Sequence, residues 1–364
     1  MQKKIIALAV AAAFSTPAFA DVGFYGIVDA AVASVSAKNQ KSDFLALSGS
    51  ASTSRLGVKA TEDIGNGLTA VAVVEYGIDT QDINSTLTAR QKMLAVAGDF
   101  GTVATGYLQT AAYDFLAKYD PIYGSSSSAH TIASSGHLVG NLAARAPRAV
   151  AYISPNINGL VFAANYSTSY QLATPALGRD KGNLTVADTT TAGLKATAYI
   201  LSANYAVDAL SVGAVYASET DTSSGGATLN EFSLGGSYDL GVAKVMGTYQ
   251  SQKSNAAGAK ADTVFSLAGV VPVATGAVAV MYGSSKVADS AASGANALTA
   301  GYLHTFTKST TGYVVFSNVK NGSGTASYSV AGNGLVAGWG AASATNVNNG
   351  ASSTLFGVGL RKKF

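Results

Sequence analysis

The sequence predicts an all-β protein, a transmembrane antiparallel β-barrel of 16 strands. Three observations predict it. Apolar and polar residues alternate along nearly the whole chain, short turns alternate with long loops, and the final ten residues form an amphipathic strand ending on an aromatic. Side chains of a strand alternate between its two faces, so period-two alternation sets apolar residues against one medium and polar ones against another. In lipid an open sheet edge leaves backbone groups unsatisfied, so such strands must close on themselves.

The chain starts with the pattern of a signal peptide. Lys3 and Lys4 form a basic region, Ile5 to Phe14 an apolar stretch, and Ala18-Phe19-Ala20 a small-x-small cleavage site before Asp21. Ten apolar residues are too few to cross a hydrocarbon core, which excludes an uncleaved anchor. The expected organisation is a signal peptide over 1–20 and one barrel domain over 21–364. Of 23 basic residues two lie in the signal peptide, which leaves 21 against 20 acidic ones. A nearly neutral mature chain gives no basis for nucleic-acid binding. The absence of cysteine suits an oxidising periplasm and excludes thiol catalysis and thiolate metal sites.

Alternating segments follow near 22–35, 54–62, 67–77, 86–98, 101–109, 147–154, 159–168, 194–207, 209–219, 229–239, 242–252, 261–271, 276–285, 295–305, 311–320 and 352–364. Most have about ten residues, the length a tilted strand needs to span a bilayer. Phe232, Leu234, Tyr238 and Leu240 share one face, and Glu231, Ser233, Ser237 and Asp239 the other. Ser266 to Gly283 is uncharged, but Pro272 and Gly276 sit within it, so it reads as a hairpin and not a membrane helix. Tight connections such as Glu62 to Gly67, Gly98-Asp99-Phe100, Asn156 to Gly159 and Val207-Asp208 carry the Asn, Asp and Gly chemistry of hairpins. The loops near 36–53, 110–146, 169–193, 220–228, 286–294 and 321–351 are longer and polar. That rhythm is expected of short periplasmic turns and long outer loops. In the last strand, Phe356, Val358, Leu360 and Phe364 oppose Gly357, Gly359, Arg361 and Lys363.

Several stretches carry a specific resemblance. Phe24-Tyr25-Gly26-Ile27-Val28-Asp29-Ala30, Ser54 to Leu68, Gly98 to Gly106, Tyr152 to Leu160 and Val358 to Phe364 are similar to motifs of the Gram-negative general porins, particularly the β-proteobacterial branch. The resemblance implies an outer-membrane homotrimer, each protomer with its own water-filled pore, in contact with outer-membrane lipid and lipopolysaccharide. It makes Phe364 an assembly signal read by periplasmic chaperones and the barrel-assembly machinery. It also implies that the third outer loop, about 109–146, folds into the lumen. Tyr113-Asp114 and Asp120-Pro121 resemble the acidic part of that constriction loop.

Opposite it, the resemblance implies an arginine ladder on the barrel wall. Arg55 matches through Ser-Arg-Leu-Gly, Arg90 through its place before Gly-Asp-Phe-Gly, and Arg145 through its lead to Tyr152; Arg148 lies nearby. Lys59 shares strand parity with Arg55. Tyr107 departs from the pattern, which has a basic residue after Gly106. Guanidinium groups stay charged and make a fixed positive field, while Asp114 and Asp120 would make it transverse. No Asp or Glu occurs from Pro121 to Arg179, so the expectation is a passive pore for small hydrophilic solutes with a mild anion preference.

Other functions find less support. Only three histidines exist, and His130 and His137 lie seven apart in a loop without nearby carboxylates, a poor metal site. Glu62 and Asp63 are adjacent on a strand and point to opposite faces, which does not suit paired acid–base work. No nucleophile-elbow pattern supports a hydrolase, and no cofactor is expected. A substrate-specific sugar or organic-acid channel is the nearer alternative. A secreted β-rich adhesin would show a fixed repeat, and none is visible. Of the 18 tyrosines, those in strands suit an aromatic girdle at the lipid boundary.

Overall fold

Leu68, Ala70, Ala72 and Val74 point to one side of their strand, and Val71, Val73 and Glu75, all buried, to the other. Every strand repeats this division, and the chain folds accordingly. The computed structural model describes residues 21–38, 42–81, 87–122, 124–125, 127–134, 137–139, 144–170, 196–221, 227–288, 294–323, 328–330 and 350–364. Residues 1–20, read above as a signal peptide, lie outside them, as do 140–143 of the third outer loop.

The first eight strands in chain order are β1 (Asp21–Ala37), β2 (Asp43–Ser48), β3 (Arg55–Gly65), β4 (Leu68–Gly77), β5 (Thr88–Gly98), β6 (Gly101–Gln109), β7 (Arg145–Ile153) and β8 (Leu160–Tyr170). The rest are β9 (Ala196–Val207), β10 (Leu210–Asp221), β11 (Thr228–Asp239), β12 (Lys244–Ser254), β13 (Asp262–Val273), β14 (Gly276–Lys286), β15 (Gly294–Thr307), β16 (Thr310–Asn321) and β17 (Ser352–Lys363). Helices α1 (Ala111–Tyr119) and α2 (Ala129–Ala133) lie between β6 and β7.

From β3 onward each strand pairs antiparallel with the next, and β17 returns to β1, from Ile27↔Lys363 to Ala37↔Ser353. Among the described residues the seventeen strands make sixteen staves, because β2 and β3 share one. β2 pairs with the upper half of β1 and β3 with its lower half, with residues 49–54 looping out between them. The sequence reading placed 36–53 wholly in a loop. Only six residues alternate in β2, too short a run to stand out beside its Ser- and Lys-rich flanks. Closure reaches the last residue: Gly26 N–H donates to the Phe364 carbonyl at 2.9 Å, and Phe364 N–H donates back at 3.2 Å.

At the β3–β4 turn Asn66 and Gly67 both take left-handed φ, 55° and 72°, as a tight hairpin of right-twisted strands requires. The outer surface is apolar. Tyr166, Tyr199, Tyr216, Tyr249, Phe265 and Tyr282 ring it toward the long loops, and Phe162, Tyr205, Tyr238 and Phe306 toward the short turns. These are the two girdles expected at the water–lipid boundaries. Tyr313, from the same set of strand tyrosines, instead points inward and donates to the buried Asp29. On β1, β3 and β4 the outward positions Ala30, Val58, Ala60, Ala70 and Ala72 are small.

Candidate pore constriction

The third outer loop turns into the barrel. Thr110 caps α1 by accepting from Tyr113 N–H, and Ser128 caps α2 by accepting from Thr131 N–H. Phe115, Leu116 and Tyr119 form the buried face of α1, which packs against β8 to β12, while α2 packs against β13 to β15. The wall is pared down to receive them: a Cβ at Gly235 would stand 2.5 Å from the Tyr119 ring, and one at Gly283 2.4 Å from the Ala129 carbonyl oxygen. Hydrogen bonds then fasten the loop to the wall. Leu138 N–H donates to Gln252 Oε1 at 2.7 Å and Val139 N–H to Glu231 Oε2 at 3.0 Å. On the far side Thr53 Oγ1 donates to the Gly124 carbonyl at 2.8 Å.

Both loop histidines belong to this fastening. His130 Nδ1 lies 3.2 Å from Ser266 Oγ, and His137 Nδ1 lies 3.6 Å from Glu231 Oε1. Burial pushes His130 down to about 4. Among the described residues no group of three metal-ligating side chains converges.

The basic residues gather on the wall opposite the helices. Arg90 Nε stands 2.6 Å from Glu75 Oε1, and Arg55 Nε 3.7 Å from Glu75 Oε2. The Arg145 guanidinium lies over the Tyr113 ring, 4.3 Å from its centre, so the ladder touches the inserted loop. Tyr25 lies across Gly57, the cross-strand neighbour of Glu75. Strict alternation would put Arg90 on the outer face with the exposed Lys92 and Leu94. A register break between Glu75 and Tyr76 sets two β5 residues, Arg90 and Gln91, against Glu75 and turns Arg90 inward. Lys59 shares the face of Arg55 and Gly57, closer to the short turns.

The loop carboxylates are withdrawn. Asp114 accepts from Gln109 Nε2, and burial raises it above the usual carboxylate range against the pull of Arg145 and Lys118. Asp120 accepts from Ile122 N–H at 2.9 Å and from Ser128 Oγ, and burial pushes it up to about 6. Its hydrogen bonds join the end of α1 to the start of α2. Arg148 is exposed, with a left-handed φ of 47°, at a bulge where β7 sets residues 147 and 148 against Tyr107. Tyr107 pairs with the exterior Lys92, so it stands outside the lumen. Glu75, which joins two arginines, was not singled out from sequence. Its one signal is being the lone charge of β4, on the parity of Val71 and Val73.

Comparison with known proteins fits this geometry. A family model described as Gram-negative porin matches residues 7–324. The chain is 40% identical to outer membrane porin protein 32 of Delftia acidovorans over 126 residues, 33% of this chain and 35% of that protein. It is 32% identical to the major outer membrane protein P.IB of Neisseria gonorrhoeae over 123 residues, 30% of this chain and 33% of that protein. The matches thus span about a third of the curated relatives' length. In structure it resembles the anion-selective porin from Comamonas acidovorans with a TM-score of 0.77 and 26% identity, covering 95% of this chain and 100% of that one. OmpF of Salmonella typhi, at 15% identity and a TM-score of 0.65 over 94% of this chain and 97% of that one, shares the fold. A closed barrel, an inserted third outer loop and a family match over most of the chain agree: this chain belongs to the Gram-negative porin family.

Proposed function

We propose that this chain forms a water-filled pore in the outer membrane, through which small hydrophilic solutes and ions diffuse passively with a mild preference for anions. One observation carries the sign of the preference. Arg55, Arg90 and Arg145 stand on the wall around a single carboxylate, Glu75, while of the carboxylates on the loop they face Asp120 is buried and Asp114 is half-buried and accepts from Gln109. Fixed charge in a narrow passage outweighs the near-neutrality of the whole chain, because fields decay over about 10 Å at 0.1 M salt. Lys59 extends the basic wall toward the periplasm, and Asp114 is the loop carboxylate nearest the ladder. Arg148 and Asp120 are left out of the constriction, one because it is exposed at a bulge, the other because it is used within the loop. The anion-selective porin of Comamonas acidovorans, at 26% identity, supports the same reading.

The pore works without enzymatic chemistry or a cofactor. It assembles as a homotrimer whose contact face is the small-residue sector of β1, β3 and β4, where backbones approach closely. Lipopolysaccharide and outer-membrane lipid surround the aromatic sector, and chaperones and the barrel-assembly machinery engage the Phe364 end during insertion. Planar-bilayer recording across a salt gradient tests the reading. A zero-current potential of the anion sign that shrinks as salt rises is expected. A cation-selective channel would overturn the sign of the preference, and no conductance would overturn the pore.

A further inference from the structure

We infer that residues 49–54, which interrupt the stave shared by β2 and β3, are a second inward element of the constriction, and that Asp29 is the positioning residue that keeps them, and with them Arg55, in place. The inference rests on the pore reading above and adds a determinant of selectivity outside the arginine ladder and the third outer loop.

The segment leaves the wall at a neck. Gly49 takes a left-handed φ of 85°, and its N–H donates to the Asp29 carbonyl at 3.0 Å. At the other end Ser54 Oγ accepts from Asp29 N–H and donates to the Asp29 carbonyl, both at 3.0 Å. One residue of β1 therefore pinches both ends of the excursion. Gly49, Ser50, Ala51 and Ser54 are buried, and Ser52 and Thr53 are half-buried. Ser50 and Ala51 line a small cavity together with Ile122 of the third loop and with Met281, Thr299 and Tyr313 from the inner faces of β14, β15 and β16. The segment thus lies inside the lumen and reaches past β17.

Its anchor is a carboxylate in an apolar row. The inward positions Ile27, Ala31, Ala33 and Val35 of β1 are apolar and buried, and Asp29 among them is buried as fully. Burying a carboxylate is costly unless hydrogen bonds replace its water. Here the partners come from two directions. The Tyr313 hydroxyl donates to Asp29 Oδ1 at 2.5 Å, its ring passing over Gly359, where a Cβ would collide with it. From the segment, the N–H groups of Ser50 and Ala51 turn toward the carboxylate. Arg361, the cross-strand partner of Asp29 on β17, adds an attractive positive charge. Removing the carboxylate would leave the Tyr313 hydroxyl and the segment's backbone without their acceptor, so the shape of the segment depends on it.

The segment in turn holds both sides of the constriction. Thr53 Oγ1 donates to the Gly124 carbonyl of the third loop at 2.8 Å, while the Thr53 carbonyl accepts from Arg55 Nη1 at 3.3 Å. Gly124 lies beside Tyr113: a Cβ there would stand 3.5 Å from the Tyr113 hydroxyl. Tyr113 carries the Arg145 guanidinium on its ring. The contacts Arg55–Thr53–Gly124–Tyr113–Arg145 therefore join one end of the ladder to the other through the segment and the loop. Arg55 is placed from two sides, by Glu75 and by Thr53.

The test uses the full-length protein in planar bilayers. The chain contains no cysteine, so Ser52→Cys supplies its only thiol. Modification of that thiol by a sulfonate-bearing methanethiosulfonate is expected to lower single-channel conductance and to shift the zero-current potential toward cations. A thiol that stays unmodified in the folded barrel, or a conductance unmoved by modification, would overturn the second constriction element. Asp29→Asn separates positioning from charge. Loss of a negative charge alone would raise the anion preference, whereas release of the segment should raise conductance and lower that preference, because Arg55 loses its seat in a wider passage. Tyr313→Phe, which removes one hydrogen bond and keeps the carboxylate, should shift both readings in the same direction by less, and it carries the test if Asp29→Asn does not assemble. An anion preference that rises or stays unchanged in the variants that assemble would overturn the role of Asp29. Wild-type conductance, recorded alongside, reports on the pore separately: a conducting wild type indifferent to the label and to both variants would overturn this inference and leave the pore standing.

Discussion

Arg90 reaches Glu75 across the β4–β5 ladder, Nε to Oε1 at 2.6 Å, and does so only because a bulge turns it from the lipid side to the lumen. Glu75 also stands 3.7 Å from Arg55 Nε, so one carboxylate holds two guanidinium groups in place and cancels part of their field. Glu75→Gln should therefore raise anion preference, moving the zero-current potential further in the anion direction. Removing one partner of a buried pair costs up to about 3–5 kcal/mol; water in the lumen should keep the loss at the low end, read as a lower heat-dissociation temperature. An unchanged potential would show that Glu75 lies outside the permeation path.

Arg90→Ser and Arg145→Ser should each shift the zero-current potential toward cations. Arg145 should have the second effect of loosening the loop, because its guanidinium stacks on Tyr113 at 4.3 Å. Open-channel noise should then rise in Arg145→Ser and not in Arg90→Ser. Both shifts should fade at molar salt, where the screening length is about 3 Å.

Much of the fold is legible in the sequence, and much of the constriction is not, for a physical reason. Alternation reports which medium each side chain meets, so it places β4, β11 and the last strand directly. It fails where the ladder breaks step. Parity alone would send Arg90 into lipid and says nothing of the two bulged residues opposite Tyr107. Glu75 hides because a single glutamate at the end of an apolar strand looks like any rim residue. Neither helix of the third loop shows in the sequence pattern, since Ala111–Tyr119 is short and is held by the wall it packs on.

The loop's position depends on absent side chains. A Cβ at Gly235 would sit 2.5 Å from the Tyr119 ring, so Gly235→Leu should push α1 off the wall while the strands, whose backbone pairing is untouched, still form. Overpacking of this kind typically costs about 1–3 kcal/mol. The expected result is a folded, heat-modifiable barrel with altered single-channel conductance. Wild-type conductance in that variant would mean that α1 does not set the width of the pore.

Two buried groups on the loop should pull stability in opposite directions with pH. His130 is held down at about 4 by burial beside Gln250, Ser266 and His137, with Glu231 beyond. Its unfolded form protonates near 6.5, so its contribution is intact above that pH and is lost as pH falls from 6.5 to 4. Asp120, pushed up to about 6, contributes fully below 3.8 and loses that contribution as pH rises through 6. Each is worth at most about 3 kcal/mol by linkage, so they largely offset one another. His130→Gln should become more heat-resistant on acidification from pH 7 to 4, and Asp120→Asn less so. Parallel pH profiles for the two variants would show that neither group governs the loop.

The last residue closes the barrel, and its replacement should be felt in assembly more than in the finished pore. Phe364 exchanges two backbone hydrogen bonds with Gly26, and its ring lies over that glycine, where a Cβ would meet Cζ at 2.4 Å. The ring belongs to the same outward row as Phe356, Val358 and Leu360. Phe364→Ser keeps the backbone bonds but removes an apolar side chain worth about 2 kcal/mol of transfer free energy. It puts a hydroxyl at the lipid-facing seam between the first and last strands. Folded trimer yield from outer membranes should fall several-fold, with conductance per surviving channel unchanged, because the ring lies on the lipid side of the wall, opposite the face that carries the side chains of Arg55, Arg90 and Arg145. Gly26→Ala should impair closure as well, since even a methyl group collides with the ring. Normal yields from both variants would show that the Gly26–Phe364 contact is not what commits the barrel to close.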